Sequence, residues 1–261
     1  MDKNRPYDFP EHFRDFVFMP KFDENINILS TLAEPEEWGY KTSTAPHDKP
    51  ILRNYLTYTY RRIAEEKKVS VTPDENHACF NLGLITLSQE PIYALFERNK
   101  LDNVSHYWHF WKFCRRGEWE LNKFPSLPEM AHYFDDPSSL VYDSRKELRI
   151  NVEHIIRDNI ERFPESLQKM NAFGLQNLVK GAIDSAKERV RRNYKTAIPQ
   201  YYQGSIQLLI PLTLLDPAKA DLALVVEKFS DFYRGSTCLT LDMAYNNARQ
   251  LARPDRDWLA P

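Results

Sequence analysis

The sequence predicts an α+β fold: a mostly antiparallel central sheet of about six strands with helices packed on it, preceded by an irregular N-terminal arm. Two observations predict it. Short apolar and β-branched runs bounded by turn residues gather in two stretches, 78–114 and 205–241, and amphipathic helical patterns stand between and after them. Neither stretch has enough strands and helices to cover a sheet by itself. Strands of both are therefore expected to share one sheet, in a single domain over 50–261.

Residues 1–49 are rich in Pro, Asp, Glu and aromatics and hold no sustained period. They read as an extended arm packed on the domain, anchored by Phe9, Phe13, Phe16 and Phe18, since a disordered leader would carry fewer aromatics. A helix follows over 49–66, with Leu52, Tyr55, Leu56, Thr59 and Ile63 inside and Pro50 in its first turn. Residues 78–87 and 91–97 read as a hairpin, and 107–114 as a third strand. Asn81 and Gly83 interrupt the first of these. Glycine in a strand marks a bulge or a close approach by another group, so Asn81 is a candidate ligand contact, set against a buried amide satisfied by backbone. In the third strand, Tyr107, Trp108, Phe110, Trp111 and Phe113 stand beside Lys112, Arg115 and Arg116. A stacking surface for nucleic acid would look like this, and so would a strand buried on both faces, which is the preferred reading.

Residues 117–150 read as irregular. Asn151 caps an amphipathic helix to about residue 163, and a second helix runs over 175–194. Its end holds Lys187, Arg189, Arg191, Arg192 and Lys195, more cations than a helix C-terminus requires. Strands follow over 205–210, 221–228 and 233–241. Asp242 then stands where an N-cap belongs, and a closing helix over 243–252 stops at Arg253-Pro254.

Composition narrows the function classes. Hydrophobic residues make up 42% and aromatics 13% of 261 residues, a globular composition. Lys+Arg total 35 against 37 Asp+Glu, and a formal charge of −2 argues against a generic polyanion binder, leaving room for a local basic patch. Three distant cysteines form neither a zinc knuckle nor a disulfide framework, and reduced thiols suit a cytoplasmic protein. The N-terminus lacks the apolar core of a signal peptide, and no apolar stretch is long enough to cross a bilayer. Phosphate-cradling glycine motifs are missing, no metal site is indicated, and the sequence specifies neither a cofactor nor an oligomeric state.

The most function-like feature is the closing helix. Helical spacing places Asp242, Tyr245, Asn246, Arg249 and Arg253 on one stripe. Joined by Arg191, Lys195, Tyr201 and Tyr202, that stripe could hold a phosphate with a base or sugar. Arginines bind phosphate bidentately, tyrosines stack on bases, and Asn246 could read an edge. Asp242 could orient a ribose hydroxyl or act as a base. In the plainer reading Asp242 only caps the helix and Arg249 pairs with a surface carboxylate. RNA or nucleotide binding is the first expectation. The alternatives are an enzyme acting on a nucleotide or RNA end, with Asp242 and Arg249 in its site, and an interaction scaffold whose N-terminal arm docks a protein partner.

The runs Phe80-Asn81-Leu82-Gly83-Leu84 and Glu90-Pro91-Ile92-Tyr93-Ala94-Leu95-Phe96 carry a resemblance, as do Asn193-Tyr194-Lys195 with Pro199-Gln200-Tyr201-Tyr202, Gln207 to Leu212 and Asp221 to Val226. Leu239-Thr240-Leu241-Asp242-Met243-Ala244-Tyr245-Asn246-Asn247-Ala248-Arg249 carries it furthest. In order, from about Pro50 to Trp258, the chain resembles a prokaryotic family described only as a domain of unknown function. The resemblance implies association with cold-shock-type RNA-binding modules and implies no reaction.

Overall fold

A computed structural model describes residues 5–254. Trp258, where the resemblance ends, lies outside the described residues. The chain divides into two compact units, one holding the residues up to Tyr40 with Thr44–His132, the other Lys41–Ser43 with Tyr133 onward.

The first unit opens with α1 (Phe13–Phe16), β1 (Val17–Phe18) and α2 (Phe22–Leu32), so the stretch expected to be an extended arm is substantially helical. Next comes α3 (Pro50–Glu65), with Pro50 in its first turn, where the missing N–H costs nothing. Four strands follow: β2 (Ser70–Val71), β3 (His77–Ile85), β4 (Pro91–Arg98) and β5 (Trp108–Arg115). They form a mixed five-stranded sheet in the order β1-β5-β4-β3-β2, with β1 parallel to β5 and the rest antiparallel. Phe13 and Phe16, two of the expected anchors, are buried against Tyr60, Phe80 and Phe96. The Phe16 and Tyr60 rings stack 4.8 Å apart, and Phe80 and Phe96 stack at 5.4 Å.

The second unit holds β6 (Glu147–Ile150), α4 (Val152–Asn159), the short α5 (Glu165–Gln168) and α6 (Ala172–Arg192). Asn151 and Asn171 cap α4 and α6 through their side-chain oxygens. After them run β7 (Ile198–Tyr202), β8 (Ser205–Leu212), β9 (Leu222–Lys228), β10 (Phe232–Leu239) and α7 (Leu241–Arg249). The sheet order is β6-β10-β9-β8-β7, with only β6 and β10 parallel. Both faces are covered. Ile155, Leu175, Val179 and Ile183 of α4 and α6 pack on Leu208, Ile210, Leu222 and Leu224, while Ala244 and Ala248 of α7 pack on Leu209, Ala223, Val225 and Leu239. Double coverage is why β8 and β9 read as unbroken apolar runs.

The α+β class holds, but the single shared sheet of about six mostly antiparallel strands does not. There are two five-stranded mixed sheets, and the stretches 78–114 and 205–241 contribute to different ones. Each core hairpin is completed by edge strands of two to five residues that carry too little pattern to be seen locally.

Candidate functional site

Asp242 is not the cap of α7. Thr240 is, its hydroxyl accepting from the Met243 N–H at 3.4 Å. Asp242 lies one residue inside the helix and is only 6% exposed. Its carboxylate accepts four hydrogen bonds from three residues of the second unit's N-terminal segment: the Lys41 N–H (2.8 Å), the Thr42 N–H (3.0 Å), the Thr42 hydroxyl (2.6 Å) and the Ser43 hydroxyl (2.9 Å). Burial pushes its pKa up, and the bonds from Thr42, Lys41 and Ser43 outweigh that, holding the carboxyl below its ordinary value.

The stripe expected to hold a ligand is mostly buried or half-buried, while its last member, Arg253, is exposed. Arg249 is 8% exposed, Tyr245 and Asn246 are half-buried, and all three already make interactions of their own. Asn247, one step round the helix, donates to Gln200 Oε1 at 3.0 Å. Gln200, 1% exposed, donates in turn to Gln207 (2.7 Å), and Gln207 to Glu227 (3.2 Å), which pairs with Arg234. The last four are directly opposite one another on β7, β8, β9 and β10. This amide relay was not foreseen. Its one local signal is Gln207 opening an otherwise apolar run, and its partners are fixed by strand register.

Lys195 and Arg253 do come together. They line one cavity of about 270 Å³ beside the C-terminal end of α7, with Tyr194 beside Lys195 and an apolar floor that includes Ile198, Ala248 and Leu251. Tyr194, unforeseen as a contact, is exposed. The other expected contacts do not line this cavity. Arg191 is exposed and pairs with Glu188 at 2.9 Å. The Tyr201 ring meets Tyr133 edge-on at 4.9 Å, and Tyr202 stands at the exposed turn between β7 and β8. Asn81 belongs to the first unit, where its Oδ1 accepts from the Gly83 N–H at 2.9 Å within a bulge of β3. Gly83 has φ +68°, and a Cβ there would lie 2.9 Å from the Tyr55 hydroxyl, so any other residue would be strained.

The aromatic strand β5 is mostly core. Trp108, Phe110 and Phe113 are buried, while Trp111 is half-buried with the Lys123 ammonium 4.7 Å from its ring. Beside it, Lys112 donates to Glu118 (2.6 Å) and Glu120 (2.8 Å). Cys114, Glu118 and Glu120 have metal-ligand spacing, with ligand atoms within 4.8 Å of one another, but the Lys112 ammonium already neutralises the carboxylates. Burial pushes the Cys114 thiol up to about 12, away from the thiolate a metal would need. All three cysteines are buried and unpaired.

No helix among the described residues is long and apolar enough to cross a membrane. A family model described as "Domain of unknown function (DUF3825)" matches residues 29–258. No curated protein and no solved structure matches the chain.

Proposed function

The chain belongs to the DUF3825 family, and we propose that it binds RNA or a nucleotide through the cavity at the C-terminal end of α7. One observation carries the reading: Lys195 and Arg253, far apart in sequence, meet on the wall of a single cavity next to an exposed tyrosine. Two cations suit a phosphate, the Tyr194 ring offers a face for a base, and the apolar floor suits a sugar edge or base rather than bulk water. A volume of about 270 Å³ suits one nucleotide, not a duplex. With a net charge of −2, such binding must be local, and the cavity is a local basic feature. The association with cold-shock-type modules implied by the prokaryotic resemblance points the same way, as does a cytoplasmic location, which fractionation would check.

The enzyme reading meets an obstacle. Asp242 gives its carboxylate to four donors of the protein itself, so a catalytic role would require residues 41–43 to leave. A scaffold docking a partner through the N-terminal arm has no feature that favours it over binding at the cavity.

The test is calorimetry with mononucleotides and short single-stranded RNAs. Lys195→Ala and Arg253→Ala should each weaken binding about tenfold, the scale of a charge-assisted hydrogen bond. The salt dependence should have a log–log slope of about −1.4 for two phosphate contacts to a single strand. Unaltered affinity in both variants, or no saturable binding, refutes the reading.

A further inference from the structure

A second cavity of the second unit, about 440 Å³, lies between the outer side of α6 and residues 213–217 after β8. We propose that it binds a small zwitterion of the α-amino-acid class. Arg189 and Asp216 both line it. The Arg189 Nη2 donates to the Pro217 carbonyl at 2.8 Å, and the Asp216 carboxylate accepts from the Ala218 N–H at 2.9 Å. Among the described residues neither has an ion-pair partner, and they do not pair with each other. An unpaired guanidinium alone would invite any anion, but Asp216 opposes a bare phosphate or carboxylate, just as Arg189 opposes a bare amine. A ligand bearing a carboxylate and an ammonium satisfies both, its carboxylate on the remaining N–H groups of the Arg189 fork and its ammonium on Asp216. Leu178 and the 55% exposed Leu215 offer an apolar wall for its side chain.

An independent observation concerns Gly181. It stands in the middle of the 21-residue α6, where glycine weakens a helix relative to alanine, and its φ is ordinary. A Cβ added there would meet nothing within 4 Å. The backbone therefore needs no glycine, and the space that any other residue would begin to fill is part of the cavity.

The experiment is a titration of the full chain, followed by amide chemical shifts and calorimetry, with leucine, leucinamide (no carboxylate) and isocaproate (no ammonium). Leucine should bind saturably, and the two analogues at least tenfold more weakly. Arg189→Gln and Asp216→Asn should each lose tenfold or more. Gly181→Leu should abolish binding while the melting temperature stays or rises, which separates blocking from unfolding. Failure of leucine and of every other standard amino acid to bind overturns the proposal. So does equal binding of leucine and either analogue, or unchanged binding in Gly181→Leu. Lys195→Ala should leave leucine binding intact, so the outcome is separate from that of the nucleotide reading.

Discussion

Asp242 shows how much one side chain's surroundings decide. Its four donors include two backbone N–H groups, those of Lys41 and Thr42. Asparagine would keep one oxygen and turn an NH2 toward donors. Asp242→Asn should therefore cost about 1.5–3 kcal/mol in urea unfolding, against about 1 for loss of the cap in Thr240→Ala. A negligible cost for Asp242→Asn would show that the four bonds to its carboxylate contribute little. A carboxyl held low in the folded state contributes stability above the unfolded carboxylate value, and loses it as pH falls through the folded one. Wild type should thus lose stability below about pH 4, with a shallower loss in Asp242→Asn. Arg249 is buried like Asp242, so Arg249→Ala should cost about 1–3 kcal/mol, beyond the roughly 0.5 of a surface change.

At the scale of elements, β5 is the clearest case for core. Trp108 is 1% exposed, so Trp108→Ala should cost about 3–5 kcal/mol, while the half-buried Trp111 should cost clearly less. Equal losses in denaturant unfolding would mean that both indoles are equally packed. The relay on the α7 face makes a second prediction. Gln200→Leu and Gln207→Leu should each cost about 1–3 kcal/mol by stranding the neighbouring amide, and the double variant should cost less than their sum. The long strands and most of the long helices were legible because their patterns repeat over seven residues or more, while the 11-residue α2 was not, lying in a stretch read as an extended arm. The strands β1, β2 and β6 were not, because two to four residues show no period. Spacing identified which residues of α7 share a stripe. It could not say that the stripe meets protein, since helical geometry fixes a common side and not what lies opposite. Lys195 and Arg253 were legible as cations near helix ends, and their convergence was expected on chemistry alone. The Asn247–Gln200–Gln207 chain depends on register and had no such cue.

For the whole molecule, counting strands suggested one sheet because each half lacked enough of them. The missing members were the short edges, and with them each unit completes a sheet of its own. The early residues matter to both units. A chain started at residue 50 would remove Phe13 and Phe16 from the first unit's ring cluster and Lys41–Ser43 from the second unit. Such a chain should melt well below the full one, or fail to unfold cooperatively, by differential scanning calorimetry. An unchanged profile would show that 1–49 is dispensable. The bonds to Asp242 span 199–201 positions of sequence. At about 5–20 residues per second, a ribosome needs about 10–40 seconds to travel from Lys41 to Asp242. Throughout that interval the hydroxyls of Thr42 and Ser43 lack the carboxylate they meet in the finished unit. The second unit can close on Lys41–Ser43 only after Asp242 has been made, so a message truncated before residue 242 yields a product that lacks this fastening.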